Sequence, residues 1–230
     1  MAEFVLVAGA WLGSSAWDEV VAPLRAAGHG AHALTLSGLA ERRGVTAGQQ
    51  THVQDIVDEV ERRDLRDVVL VGHSYSGIPV GQAAERIGGR LSRVVFVDAE
   101  VPVDGGSFAS GWWQGQAAFE AQIADTGDWP PLGAADFDGQ GLTDEQIARL
   151  IEGSTPHPGT TLTEPAVLTR PLGELPATYV KCLLDGPEPN DTVAKLLTSD
   201  QWRLVTMDTG HWPMFSQPTE LARILVAQAG

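Results

Sequence analysis

The sequence predicts a doubly wound α/β fold on a mostly parallel sheet, with a helical cap inserted in its second half. Three observations predict it. Short runs rich in Val, Leu, Phe and Tyr recur along the 230 residues; they are continuous rather than alternating in hydrophobicity, which marks strands buried on both faces. Stretches of helical spacing separate them, and strand followed by helix in regular succession is the signature of a parallel sheet. Residues 103–173 interrupt that rhythm.

In chain order the strands are expected over residues 4–7, 31–36, 67–71, 93–97, 178–184 and 203–207, and the helices over 14–27, 51–63, 78–87, 191–197 and 218–229. Thr51 and Gln54 read as a capping box for the second helix, and Ser216 reads as the N-cap of the last, with Pro218 in its first turn. Residues 103–173 hold no convincing buried strand, but they carry Gly and Pro clusters, the tryptophans Trp112, Trp113 and Trp129, and a short helical pattern over 143–151. A structureless loop of that length is improbable inside a compact domain. The expectation is one domain, with a core of residues 1–102 and 174–230 and a mostly helical cap over 103–173. No internal repeat, low-complexity tract or heptad seam is visible.

Composition excludes several classes. With 43% hydrophobic and 20% charged residues the chain is neither disordered nor a small disulfide scaffold. Fifteen Lys and Arg against 30 Asp and Glu give a net charge of −15, which opposes binding to nucleic acid or an anionic membrane. Cys182 is the single cysteine, so no intrachain disulfide forms. The start, residues 1–9, carries Glu3 where a signal peptide needs basic residues, and its apolar run is too short to span a bilayer. A cytoplasmic monomer or homodimer is expected. The six histidines lack ligand spacing and no phosphate-cradling loop is present, so neither metal nor cofactor is expected.

The chemistry is concentrated in four segments. Gly72-His73-Ser74-Tyr75-Ser76-Gly77 follows a strand and opens a helix, the context of a nucleophile elbow, in which a sharp turn exposes the serine hydroxyl. Ser76 stands where the motif usually has glycine. A serine needs a base and the base an orienting carboxylate. His211 follows the last strand and is the best placed base; His29, His32, His52, His73 and His157 are placed worse. For the acid, Asp185 after the penultimate strand is preferred to Asp98, which ends the strand before it, while Asp191 and Asp208 are weaker rivals. The loop Ala8-Gly9-Ala10-Trp11-Leu12-Gly13 offers backbone N–H groups, and Ala10 and Tyr75 are the expected oxyanion donors. All these sites lie beyond the C-terminal ends of parallel strands, where open α/β sheets bind ligands. Trp11, Trp112, Trp113 and Trp212, with Trp129, are candidates for an aromatic pocket wall.

With these motifs the chain resembles the α/β-hydrolase superfamily, and within it the group of plant methyl esterases, hydroxynitrile lyases and their bacterial esterase relatives. Residues 4–11 are similar to the group's first strand and oxyanion loop, residues 72–77 to its elbow, and residues 179–185 and 210–211 to its acid and base segments. The resemblance implies an α/β-hydrolase fold and independently favours Asp185. Two departures are informative: Ala8 replaces the histidine usual before the first-loop glycine, and Gly9 and Trp212 stand where hydroxynitrile lyases rely on a threonine and a lysine.

The expected activity is hydrolysis of a small carboxylic ester or lactone through an acyl-enzyme on Ser74, with no cofactor. The rivals are a non-hydrolytic enzyme on the same scaffold (a lyase, acyltransferase or cyclase) and a non-catalytic binding module. The negative charge is expected to favour neutral or cationic esters over anionic ones.

Overall fold

The computed structural model describes residues 1–230. In chain order its elements are β1 (Glu3–Val7), α1 (Asp18–Ala26), β2 (Gly30–Leu34), α2 (Gln49–Arg62), β3 (Val68–His73), α3 (Gly77–Ile87) and β4 (Leu91–Val97). Then follow α4 (Gln116–Ile123), β5 (Asp128–Trp129), α5 (Asp144–Gly153), β6 (His157–Pro158) and α6 (Gly159–Thr163). The chain closes with β7 (Ala177–Cys182), α7 (Asp191–Leu196), β8 (Trp202–Met207), α8 (Pro213–Ser216) and α9 (Pro218–Val226).

Six strands form one sheet in the order β2-β1-β3-β4-β7-β8, and every pairing in it is parallel. The continuous hydrophobicity has its expected cause, because alternate residues of one strand enter different cores. Val5 and Val7 of β1, Leu70 of β3 and Phe96 of β4 pack on the side of α2 and α3. Phe4 and Leu6, Val69 and Val71, and Val95 and Val97 pack on the side of α1 and α9. The two edge strands depart most from full burial: β2 is largely half-buried, and β8 leaves Leu204 exposed.

The order of the strands positions the site. From β1 the chain moves outward to β2 and then returns to the other flank of β1 as β3, so a crevice opens between the C-terminal ends of β1 and β3. Val7 pairs with Gly72 there, which sets the loop after β1 beside the turn after β3.

Two expected helix starts are corrected. Thr51 is not an N-cap: α2 begins at Gln49 and Thr51 Oγ1 accepts the Gly48 N–H at 3.1 Å, while Gln54 bonds Asp58. Ser216 ends α8 and its hydroxyl is bonded to Thr209, so α9 starts behind Gln217. Between β4 and β7 the chain contributes no strand to the sheet; α4, α5 and α6 lie there with the two-residue strands β5 and β6, which pair antiparallel. That short pairing has no apolar run behind it, which is why hydrophobic pattern did not signal it.

Candidate active site

The elbow is built from close contacts. Ser74 has φ of +54°, a left-handed conformation that costs a non-glycine residue about 1–2 kcal/mol. Two glycines make the turn possible. A Cβ on Gly72 would lie 3.0 Å from Val80 Cγ2, and one on Gly77 would lie 2.0 Å from the Glu100 carbonyl oxygen. Ser76, the departure from the usual motif, is put to use: its hydroxyl oxygen accepts the His73 N–H at 2.9 Å and lies 2.9 Å from the Val7 carbonyl, tying β1 to the elbow. The Glu100 N–H donates to the Ser74 carbonyl at 3.0 Å, so the strand exit of β4 is tied to the elbow as well.

His211 sits on the loop after β8 and is held from two sides. Its N–H donates to Gln140 Oε1 at 2.7 Å, and its carbonyl oxygen accepts from His73 Nε2 at 2.7 Å. A carbonyl can only accept, so His73 carries its proton on Nε2. Burial holds the His73 imidazole neutral, its pKa lowered to about 3. The imidazole of His211 bonds through Nδ1, which leaves Nε2 as the ring nitrogen for a reaction partner.

The carboxylate on that Nδ1 is Asp98, at 2.8 Å. This reverses the preference read from sequence: Asp185 Oδ2 is 3.7 Å away, and its side chain is 48% exposed against 3% for Asp98. Asp98 is fully employed. Its other oxygen accepts from Lys181 Nζ at 2.8 Å and from the Cys182 N–H at 3.2 Å. Burial alone would push its carboxyl up, but the bonds and charges of His211 and Lys181 outweigh burial and hold it below the ordinary carboxylate range. Asp98 also has φ of +41°, so Trp11 (φ +67°), Ser74 and Asp98, one on each of three neighbouring loops, all adopt the left-handed conformation. Strain of this kind collects at sites where geometry matters more than local stability.

The loop after β1 is fastened by the segment between β4 and β7. Trp11 N–H donates to His157 Nδ1 at 3.2 Å, and the Trp11 carbonyl accepts from the Thr155 N–H at 2.9 Å. His157 is therefore unprotonated at Nδ1, and its Nε2 donates to Thr161 Oγ1 at 2.8 Å. Ala10, at the turn of this loop, lines the same cavity as Ser74 and His211. Tyr75 is wholly buried behind the elbow, its ring edge-on to His157 and its hydroxyl 3.0 Å from His52 Nδ1. Gly9 leaves no room for a side chain, since a Cβ there would lie 2.8 Å from both His73 Nδ1 and Ser74 Cβ.

The cavity over these residues has a volume of about 480 Å³. Trp11, Trp112, Trp129 and Trp212 line it, with Phe108 and Tyr179. Trp113 does not: it is 79% exposed on the outer surface, which corrects its candidacy. Adjacent residues of a short turn face opposite ways, and composition alone could not tell Trp112 from Trp113. Four carboxylates, Asp98, Glu100, Asp185 and Glu188, also line the cavity, where Lys181 is the one cation and is already bonded to Asp98. Sequence reasoning missed Lys181 and Glu100, because neither lies in a motif.

Ligand atoms of Asp98, Asp185 and His211 lie within 4.8 Å of one another. They do not fit a metal well. A buried ammonium holds one oxygen of Asp98 and the imidazole holds the other, so a divalent cation would have to displace both. The Cys182 thiol is buried and its pKa is pushed up by burial, so it is no nucleophile at neutral pH.

Three buried histidines give the protein an acid-labile core. Burial lowers His52 to about 4 and His73 to about 3, and it holds His157 well below the ordinary value of 6.5. Below that value the unfolded chain takes up protons that the folded chain refuses, so stability is full above it and falls with pH. By pH 5 the loss is about 2 kcal/mol for each of His52 and His73, at about 1.4 kcal/mol per unit, and His157 acts in the same direction. Such losses are a large share of the ~5–15 kcal/mol total of a typical domain. Calorimetry is expected to show a Tm nearly constant above pH 7 and falling steeply between pH 6.5 and 5; a Tm that is level across that window would show that these histidines are protonated in the fold.

Known proteins resemble this chain along its whole length. The model of the alpha/beta hydrolase family matches residues 4–224. A carbendazim-hydrolysing esterase of Nocardioides sp. strain SG-4G is 32% identical, covering 99% of both chains. Methyl jasmonate esterase 1 of Vitis vinifera is 28% identical over 96% of this chain and 94% of its own. Among solved structures, an extracellular alpha/beta-hydrolase from a Paenibacillus species, said to share structural and functional homology with tobacco salicylic acid binding protein 2, superposes with a TM-score of 0.86. It is 24% identical and covers 100% of this chain and 99% of its own. No helix is long and apolar enough to cross a membrane. A parallel sheet with its cavity at the switch point, a strained serine elbow and full-length esterase relatives lead to one assignment: the chain belongs to the alpha/beta hydrolase family, as a carboxylic ester hydrolase.

Proposed function

We propose that the protein cleaves a small carboxylic ester or lactone through an acyl-enzyme on Ser74, without a cofactor. One observation carries this reading: Ser74, held at φ of +54°, shares a cavity with His211, whose Nδ1 is already bonded to Asp98 at 2.8 Å. In this scheme Ser74 Oγ attacks the carbonyl carbon as His211 Nε2 takes its proton. Asp98 accepts the Nδ1–H bond, fixes the tautomer and balances the imidazolium charge. The N–H groups of Ala10 and Tyr75 receive the oxyanion. Collapse of the tetrahedral species breaks the ester C–O bond, and His211 returns its proton to the departing alcohol. Water then attacks the acyl-enzyme by the same route and releases the acid.

The cavity of about 480 Å³ falls within the range of small-molecule sites, and its aromatic walls suit an apolar acyl or alcohol group. Gly9 and Trp212 count against expulsion of cyanide, since no lysine follows the base directly and the one cation of the cavity, Lys181, is already bonded to Asp98. A fluorophosphonate probe is expected to label Ser74 in the folded protein, and an ester panel to yield free acid and alcohol in equal amounts. Absence of labelling would remove the acyl-enzyme.

The carboxylates around the cavity make substrate charge a second readout. At low ionic strength kcat/KM for a neutral ester is expected to exceed that for its carboxylate-bearing isostere by about 10-fold or more, and added salt is expected to narrow the gap. Equal values at low salt would reduce the acidic surface to a solubility feature.

A further inference from the structure

A serine, a histidine and one carboxylate complete the proposed reaction, yet a second carboxylate stands beside the base. Asp98 and Asp185 approach His211 Nδ1 at 2.8 and 3.7 Å from the ends of the neighbouring strands β4 and β7. Only one of them can hold the Nδ1 proton at hydrogen-bond distance. If both acted at full charge, the field would retain a proton on the imidazole and withdraw the neutral base that attack requires.

Lys181 lies where it can correct this. Its side chain, 6% exposed, donates to Asp98 Oδ1 at 2.8 Å, to the Cys182 carbonyl at 2.9 Å and to the Asp185 carbonyl at 3.1 Å. Those three bonds use all three ammonium protons. Two of them fasten the turn that carries Asp185, and the third directs the free oxygen of Asp98 toward His211. Counting charges, two carboxylates and one ammonium leave a single negative charge beside the imidazole, the same as an ordinary triad with one acid.

We propose that Lys181 is a positioning residue for the catalytic base: it cancels the charge of one of the two carboxylates flanking His211 and clamps the turn that bears the other. The proposal rests on the serine-hydrolase reading of the same cavity. The remaining groups near His211 stay constant across the variants that test it. His73, with ring centroids 4.8 Å apart, is buried and held neutral. Glu100, on the exit of β4, has its carboxyl pushed up by burial and by the charge of Asp98.

The test is the pH dependence of kcat/KM on a neutral ester, for the wild type, Lys181→Met, Asp185→Asn and the double variant, with fluorophosphonate labelling of Ser74 run alongside. Lys181→Met leaves two uncompensated anions, so the acid limb is expected to move up by about one pH unit. Asp185→Asn removes one anion from the compensated site and is expected to move the limb down by about half a unit, the smaller shift reflecting screening of an exposed group. The double variant restores a single net charge, and its limb is expected to return close to that of the wild type. A merely structural lysine would not produce this crossing pattern. An unmoved limb in folded Lys181→Met, or a double variant no closer to wild type than Lys181→Met, would overturn the proposal. If Lys181→Met does not fold, Asp185→Asn decides alone, and an unmoved limb there overturns it too. Loss of Ser74 labelling in the wild type would instead bring down the serine-hydrolase reading, and the role of Lys181 with it.

Discussion

Ser74→Ala is expected to lower kcat/KM on a neutral ester by about 10⁵- to 10⁶-fold, the scale seen when a triad nucleophile is removed. The reason is geometric. Ser74 shares the cavity with His211, and the cavity's other hydroxyl group, on Tyr179, is held strongly protonated by burial. What survives is catalysis by the backbone donors and by binding alone, worth about 10³- to 10⁴-fold over water. Alanine keeps the Cβ and so keeps the strain of the φ of +54°, and the Tm is expected to stay within a few degrees of wild type. Steady-state kinetics with a purified variant of unchanged Tm is the measurement. Activity above a tenth of wild type would mean that another group performs the attack.

Asp98→Asn is expected to cost about 10²- to 10⁴-fold in kcat, while Asp185→Asn costs less than about 10-fold at the pH optimum. An amide at position 98 can present an N–H to Nδ1 and stabilise the wrong tautomer. It also removes the anion that balances the imidazolium. The same substitution leaves the Lys181 ammonium buried without its charged partner, a loss of about 3–5 kcal/mol for a broken buried pair, so the Tm is expected to fall as well. Asp185, half exposed and 3.7 Å from Nδ1, makes no comparable bond. Measuring both variants at several pH values separates the two acids. If Asp185→Asn carried the large loss and Asp98→Asn the small one, the orienting acid would be the one the sequence resemblance favours.

Most of the fold was legible in the sequence, because it is written in local terms. All six sheet strands were placed within a few residues, since a strand buried on both faces carries a continuous apolar run that needs no knowledge of its neighbours. The positions of Ser74 and His211 were legible for a similar reason: each follows a strand and precedes a helix, which is a local pattern. The short pairing of β5 with β6, and the distinction between Trp112 and Trp113, were not legible. Both depend on which way a few residues turn against distant parts of the chain.

The identity of the acid shows the boundary best. Chain order and strand ends narrowed the choice to Asp98 and Asp185, and no local pattern could go further, because β4 and β7 are neighbours and both residues leave the sheet at the same rim. What separates them is about an ångström at His211 Nδ1, set by the bonds from Lys181 and the Cys182 N–H to Asp98 and by its left-handed backbone. Ser76 makes the same point in reverse, since a residue that weakened the motif on paper becomes, once β1 packs beside β3, the hydroxyl that joins them. Local periodicity and turn chemistry were enough for the sheet, the proposed nucleophile and base, and the pair of candidate acids. The packed fold alone brings Asp98 to hydrogen-bond distance of the base and Lys181 onto Asp98, because hydrogen bonds and charges act over distances that chain separation does not record.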